Sequence, residues 1–174
     1  MGLIVRKNYI KYNNLGIYTI CLQFFVAFLS LPFYIGLWGF LNPFIKYMGI
    51  LIYLLFEIFL NLTTISDPGV VTKEYYLENY RPDIILMKNY RICRKCNIVM
   101  DLDKNTEHCV ECGICILWSD HHCPWTSKCI GKKNLWLFNF FIFFLFAHIA
   151  YLIFALVSLA VVSEMKYKNN KDKL

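Results

Sequence analysis

Charge is scarce in this chain. Aspartate, glutamate, lysine and arginine make up 17% of its 174 residues, against 58% that are hydrophobic and 18% that are aromatic. The mean hydropathy is +0.46. Soluble domains carry about 25% charged residues, so a composition this apolar excludes an ordinary soluble domain and points to lipid. A net charge of +6 would suit nucleic acid, but no basic stripe with interleaved stacking aromatics lies outside the apolar runs. Nucleic acid is therefore not an expected partner, whereas lysine beside a bilayer meets anionic head groups. No small-residue cleavage site closes the first apolar stretch, which argues against a removed signal peptide. Met1-Gly2 opens like an acylation signal, yet Arg6 stands where N-myristoylation needs Ser or Thr.

What the chain does have is three long apolar runs, at 15–40, 44–62 and 135–162. Each is near or above the roughly 20 residues a spanning helix needs. Pro32 and Gly36 are expected to kink the first, and the short Asn42-Pro43 turn makes the first two antiparallel neighbours. The expected fold is a multi-pass α-helical membrane protein: three transmembrane helices, with a small, mostly irregular, two-metal cysteine-rich domain between the second and third. The segments are a polar arm at 1–14, spans one and two within 15–62, a linker at 63–92, the cysteine-rich domain at 93–134, the third span at 135–162 and a basic tail at 163–174. Ser66-Asp67-Pro68-Gly69 reads as a turn, and residues 70–92 as a surface linker with Tyr75, Tyr76 and Tyr80.

Lysine and arginine set the orientation. The arm holds three, the first loop one, residues 63–134 ten and the tail four. The positive-inside rule puts the arm and the cysteine-rich domain in the cytosol, and with three spans it leaves a basic tail on the far side. That conflict is the mark of a shortened chain or of a poorly translocated last helix. The closing Lys171-Asp172-Lys173-Leu174 differs from a retrieval signal by a charge reversal, and retrieval is not expected. An endomembrane, ER or Golgi, is expected ahead of the plasma membrane.

Seven of the eight cysteines and three of the four histidines fall between Cys93 and Cys129. Cys93-x2-Cys96, His108-Cys109-x2-Cys112-x2-Cys115, His122 and Cys129 offer six thiols and two imidazoles at spacings that suit tetrahedral zinc. Eight donors close two four-ligand sites. Interleaved histidine argues for metal over disulfides, and so for a reducing compartment. The remainder is Cys123 and His121 with Asp120 before them. A thiol needs a neighbour that takes its proton, an imidazole can do so, and a carboxylate can fix the tautomer of that imidazole. Cys123, His121 and Asp120 are the candidate nucleophile, base and orienter.

This order, continued by Asp120-His121-His122-Cys123-Pro124-Trp125 and Cys129-x-Gly131-x2-Asn134, resembles the cysteine-rich domain of the zinc-finger DHHC protein S-acyltransferases, the palmitoyltransferases. Asp67-Pro68-Gly69 resembles a motif that follows the second span in that family. The resemblance implies one zinc on Cys93, Cys96, His108 and Cys115 and another on Cys109, Cys112, His122 and Cys129, with the nucleophile at Cys123. It implies transfer of a long-chain acyl group from acyl-CoA through a Cys123 thioester to cysteines of membrane-associated proteins. It departs from the family in the eleven residues between Cys96 and His108, where Asn97 to Asp103 replaces a basic, proline-containing run. A fourth span and a Thr-Thr-x-Glu motif are also absent from this sequence, which leaves a truncated or catalytically weak zinc-binding scaffold as the alternative. A RING-type ubiquitin ligase would need a Cys-x-His-x2-Cys centre, and the order here does not supply one.

Four further residues are candidates for contact with acyl-CoA. Lys132 and Lys133 follow the last ligand where a phosphate would approach, with interfacial anchoring as the alternative. Trp125 either borders the acyl chain or packs against lipid. His148, inside the third span, would meet the end of the chain or else make a hydrogen bond between helices. Glu57 is too shallow to meet His148, but at 1.5 Å rise per residue Gln23 lies at the same depth of roughly 9 Å and is its expected partner. Cys21 is expected to be a packing residue or a palmitoylation site, and Asn134 to cap the third helix.

Overall fold

In the computed structural model, residues 16–36, 42–72 and 90–172 are described. The basic arm with Arg6, Lys7 and Lys11, residues 37–41, the linker at 73–89 and the last two residues lie outside them. The elements run α1 (Ile17–Gly36), α2 (Pro43–Ile65), β1 (Tyr90–Cys93), β2 (Ile98–Asp101), β3 (Glu107–Cys109), β4 (Ile114–Ile116), β5 (Ser119–Cys123), a 3-10 turn (Pro124–Thr126), β6 (Lys128–Gly131) and α3 (Leu135–Lys171).

All three helices are long and apolar enough to cross a membrane. Local signals set their starts. Asn42 opens α2 as its cap, its Oδ1 accepting the Phe44 N–H at 2.9 Å while Pro43, which has no N–H to satisfy, takes the first helical position. Pro32 lies inside α1, where its missing N–H removes one rung of the ladder. The third helix runs on through the expected tail to Lys171, because Glu164, Met165 and Lys166 are good helix formers and no proline or glycine interrupts them.

The described residues form two compact units, one of residues 21–36, 42–59 and 140–172 and one of residues 16–20, 60–72 and 90–139. The first is helical and packs on aromatic rings. Phe56 and Phe141 are fully buried with centroids 5.9 Å apart, Phe59 stacks on Phe140 at 5.0 Å, and Tyr34 stacks on Tyr151 at 6.3 Å. Phe24, Phe28, Phe143 and Phe146 instead point outward, exposed by more than half, as lipid-facing residues do. Polar groups inside this unit find one another. Gln23 Nε2 donates to Glu57 Oε2 at 2.9 Å, the pair expected from equal depth.

The second unit holds three antiparallel hairpins, β1–β2, β3–β4 and β5–β6. The cysteine-rich region is thus strands and tight turns. Residues 67–71 dock on it: Val70 bridges to Ile116, Leu117 N–H donates to Gly69 O at 2.8 Å, and Val71 N–H donates to Cys115 O at 2.9 Å. Asp67 Oδ1 accepts the N–H groups of Gly69 and Val70, each at 2.9 Å, and Gly69 supplies the positive φ of 114° that this tight turn needs. Gly131 leaves room for the same segment, since a Cβ there would meet the Pro68 carbonyl oxygen.

Candidate active site and metal centres

Each of the first two hairpin turns brings two cysteines together, and each of the last two strand pairs places two donors side by side. Cys93 and Cys96 lie in the first turn, Cys109 and Cys112 in the second. His108 faces Cys115 across β3–β4, and His122 faces Cys129 across β5–β6. The first turn meets the second strand pair and the second turn meets the third pair. The resulting groups are Cys93, Cys96, His108, Cys115 and Cys109, Cys112, His122, Cys129, with donor atoms all within 4.8 Å of one another in each. These are the sets that the resemblance implied.

Both groups could hold a metal ion, and their geometry fits zinc. A tetrahedron with Zn–S of 2.3 Å and Zn–N near 2.0 Å separates its ligands by roughly 3.5 to 3.8 Å. His108 Nδ1 lies 3.5, 3.3 and 3.6 Å from the sulfurs of Cys93, Cys96 and Cys115. His122 Nδ1 lies 3.5, 3.4 and 3.8 Å from those of Cys109, Cys112 and Cys129. Outer hydrogen bonds orient the donors: Cys96 N–H points to Cys93 Sγ at 3.4 Å and Cys112 N–H to Cys109 Sγ at 3.3 Å. The electrostatics also ask for a cation. Burial, then the charges of Cys96 and Cys93, push the Cys115 thiol well up. Hydrogen bonds with Cys109 and Cys112, then burial, do the same at Cys129, while hydrogen bonds from Cys109 and Cys129 hold Cys112 down at about 4. In this second group the Cys112 thiol is held down while that of Cys129 is pushed up, the mutual opposition of crowded sulfurs that a divalent ion relieves.

Outside both groups stands Cys123, buried at the end of β5. His121 and Cys123 are alternate residues of one strand and share a face, while His122 between them turns to the metal group. His121 Nδ1 lies 2.8 Å from Asp120 Oδ2, which leaves Nε2 as the free face of the ring, and Phe138 meets that ring edge-on at 5.1 Å. Trp125 is exposed, and its carbonyl accepts a hydrogen bond from the buried Thr19 hydroxyl of α1 at 2.9 Å.

The remaining candidates are placed as follows. Lys132 Nζ lies 4.8 Å above the Trp118 ring, beside a cleft of about 270 Å³ lined by Asn105, Trp118, Ser119, Asp120 and Leu135. Lys133 Nζ donates to Asp67 Oδ2 at 2.8 Å. Half-burial raises the Asp67 carboxyl, but the bonds from Lys133, Val70 and Gly69 outweigh it and hold the group below its ordinary value. His148 is fully buried in the helical unit with Nε2 2.8 Å from Ser30 Oγ, the hydrogen bond between helices. Cys21 is exposed. Asn134 does more than start α3: its Oδ1 accepts the Gly131 N–H at 2.9 Å and its Nδ2 donates to the carbonyl of the ligand Cys129 at 3.2 Å.

Sequence reasoning missed Lys128. It pairs across the strands with Cys123, is buried, and lies among the sulfurs of Cys112 and Cys129. Burial lowers its ammonium while those sulfurs pull it back up. A zinc with three thiolates and one imidazole carries a net negative charge, which this lysine offsets; its one signal in the sequence is its place directly before Cys129. Lys128→Met is expected to weaken metal retention in the second group by about tenfold, the lower end for an outer-shell change. Competition with a chromophoric chelator measures it.

Three membrane-length helices and a cross-braced cysteine-rich domain with two metal groups and one unligated cysteine define a multi-pass metal-binding membrane protein. A family model described as DHHC palmitoyltransferase matches residues 86–174, just over half the chain, and the chain belongs to that family. It is 33% identical over 141 residues to palmitoyltransferase ZDHHC4 of Bos taurus, covering 75% of this chain and 39% of that one. It is 29% identical over 150 residues to palmitoyltransferase ZDHHC8 of Drosophila melanogaster, covering 79% and 15%. With palmitoyltransferase ZDHHC7 of Mus musculus it shares 36% identity over 74 residues, 41% and 23% of the two chains. The chain therefore spans between 15% and 39% of the length of these relatives.

Proposed function

We propose that the chain is a protein S-acyltransferase that carries a long-chain acyl group, palmitoyl by the names of its relatives, on Cys123. The observation that carries the reading is the one cysteine of the hairpin domain left outside both metal groups, on the same strand face as a histidine that is 2.8 Å from a carboxylate.

Asp120 holds His121 Nδ1 and so leaves Nε2 to take the proton of the thiol on the same strand face. The thiolate of Cys123 attacks the thioester carbonyl of acyl-CoA; a new C–S bond forms, the bond to the CoA sulfur breaks, and His121 returns the proton to the departing thiolate. An acceptor cysteine on a membrane-associated protein repeats the exchange. Thioester replaces thioester in both halves, so placement and thiolate formation are the main requirements. Lys132 and Lys133 meet the CoA phosphates, with Asp67 holding Lys133 in place, and Trp125 borders the acyl chain or the lipid. Zinc, when bound, supplies a structural crosslink, all four of its positions in each group being taken by side chains. Ten of the eighteen basic residues lie in residues 63–134, which supports the cytosolic face of the membrane for this domain.

The test is incubation of the chain in nanodiscs with a clickable long-chain acyl-CoA, followed by hydroxylamine. Hydroxylamine-sensitive label on the protein is the expected result. A chain that holds two zinc ions and takes no label would overturn the reading and leave a metal-ordered membrane scaffold.

A further inference from the structure

The three hairpins are copies of one turn. Cys93, Cys109 and Cys123 each end a first strand and pair with the residue five positions on, Ile98, Ile114 and Lys128. The preceding residues pair in the same register, as Ile92 with Val99, His108 with Cys115 and His122 with Cys129. Four residues after each cysteine the backbone turns left-handed, at Asn97 (φ 52°), Gly113 (φ 67°) and Ser127 (φ 53°). The sequences agree: His108-Cys109-x2-Cys112-x2-Cys115 recurs fourteen residues later as His122-Cys123-x2-Thr126-x2-Cys129. Strand register and the left-handed fourth residue coincide in all three copies, and the donor spacing of the second recurs in the third at every position but one. Three residues after the first cysteine stand Cys96, Cys112 and, in the third copy, Thr126.

We infer that Thr126 is the residue that keeps a metal-binding turn empty, so that Cys123 stays a free thiol instead of becoming half of a Cys-x2-Cys metal pair. In the first two copies the second cysteine completes a pair of soft donors. Thr126 is fully buried, and its hydroxyl donates to the Cys123 carbonyl at 3.3 Å. A neutral hydroxyl committed to a backbone carbonyl is a poor ligand for zinc in a protein already surrounded by thiolates. Two thiolates at this spacing would hold the ion that one does not, with His121 on the same strand face to add a third donor. The requirement is chemical: the third turn shares the strand register and the left-handed fourth residue of the two metal-binding turns and differs from the second in its donor set at position 126 alone, so that side chain separates ligand from nucleophile. The consequence for acylation rests on the reading of Cys123 as the nucleophile, whereas metal content does not.

The deciding substitution is Thr126→Cys in the full chain, with zinc per chain measured by atomic emission and Cys123 alkylation by iodoacetamide followed by mass spectrometry. One additional zinc per chain is expected, together with loss of Cys123 alkylation and of acyl label, both restored by brief chelation. A double variant adding Cys123→Ala should return to the wild-type metal content. Thr126→Ser, which keeps the hydroxyl, should take no extra ion and leave Cys123 open to alkylation. Unchanged zinc in Thr126→Cys, an extra zinc that leaves Cys123 reactive, or an extra zinc in Thr126→Ser would each overturn the inference. If the wild type takes no acyl label, the proposed function fails while the zinc and alkylation readings still decide this point.

Discussion

Cys123→Ala is expected to remove all hydroxylamine-sensitive label while both metal groups stay filled. Removing a covalent nucleophile costs up to about 10⁶-fold in rate, so no signal above background should remain. The substitution deletes a single buried sulfur beside Lys128, a small packing loss, and touches neither four-donor group. Label and zinc should therefore separate cleanly. Loss of one zinc along with the label would place Cys123 among the ligands, and label retained on the alanine variant would move the nucleophile elsewhere, with exposed Cys21 the first to examine.

The opposite separation is expected of Cys115→Ala. Cys115 is buried on β4, and its sulfur closes the group that ties the first hairpin to the second. It also lies in the small apolar cluster of Val71, Cys93, Ile98 and Met100. Four- and three-residue strands with so little apolar surface cannot offset their own ordering entropy, which is of order 1 kcal/mol or more per residue. Structural zinc contributes on the order of 10 kcal/mol to domains of this kind. Taking away one of four donors should release the ion and unfold the first hairpin, read as one zinc lost per chain and rapid proteolysis within residues 90–101. A variant that kept both ions and resisted protease would mean that packing alone holds the hairpin.

Much of this molecule was legible from local features. The apolar runs are longer than any soluble core helix requires, and helix starts such as Asn42-Pro43 are written in adjacent residues. The pairing of Gln23 with Glu57 followed from depth, because two helices crossing the same slab bring equal depths together. The strands of the cysteine-rich domain were not legible. β2, β4 and β6 are buried along their whole length, so they lack the alternation of apolar and polar residues that marks a half-exposed strand. Donor pairs face each other across the second and third hairpins, and a donor pair at spacing seven, such as His108 and Cys115, reads as a loop until the turn between them is seen.

The threefold turn was hidden for the same reason. A motif search for cysteines skips Thr126, since what repeats there is backbone register and a left-handed residue, carried once by glycine and twice by Asn97 and Ser127. Lys128 was hidden because a lysine is ordinarily solvated, and only the fold buries this one, at the start of β6, among sulfurs.

By itself the sequence determined the three membrane-length helices, the eight donors and the cysteine left over, because composition and spacings of two or three residues constrain the chain locally. The tertiary structure decided which turn meets which strand pair, that Asp67 takes Lys133, that Thr19 holds Trp125 from 106 residues away, and that Lys128 and Thr126 flank the free thiol. Those contacts join residues far apart in the chain, and their partners are chosen by the packing of whole elements, which no local spacing encodes.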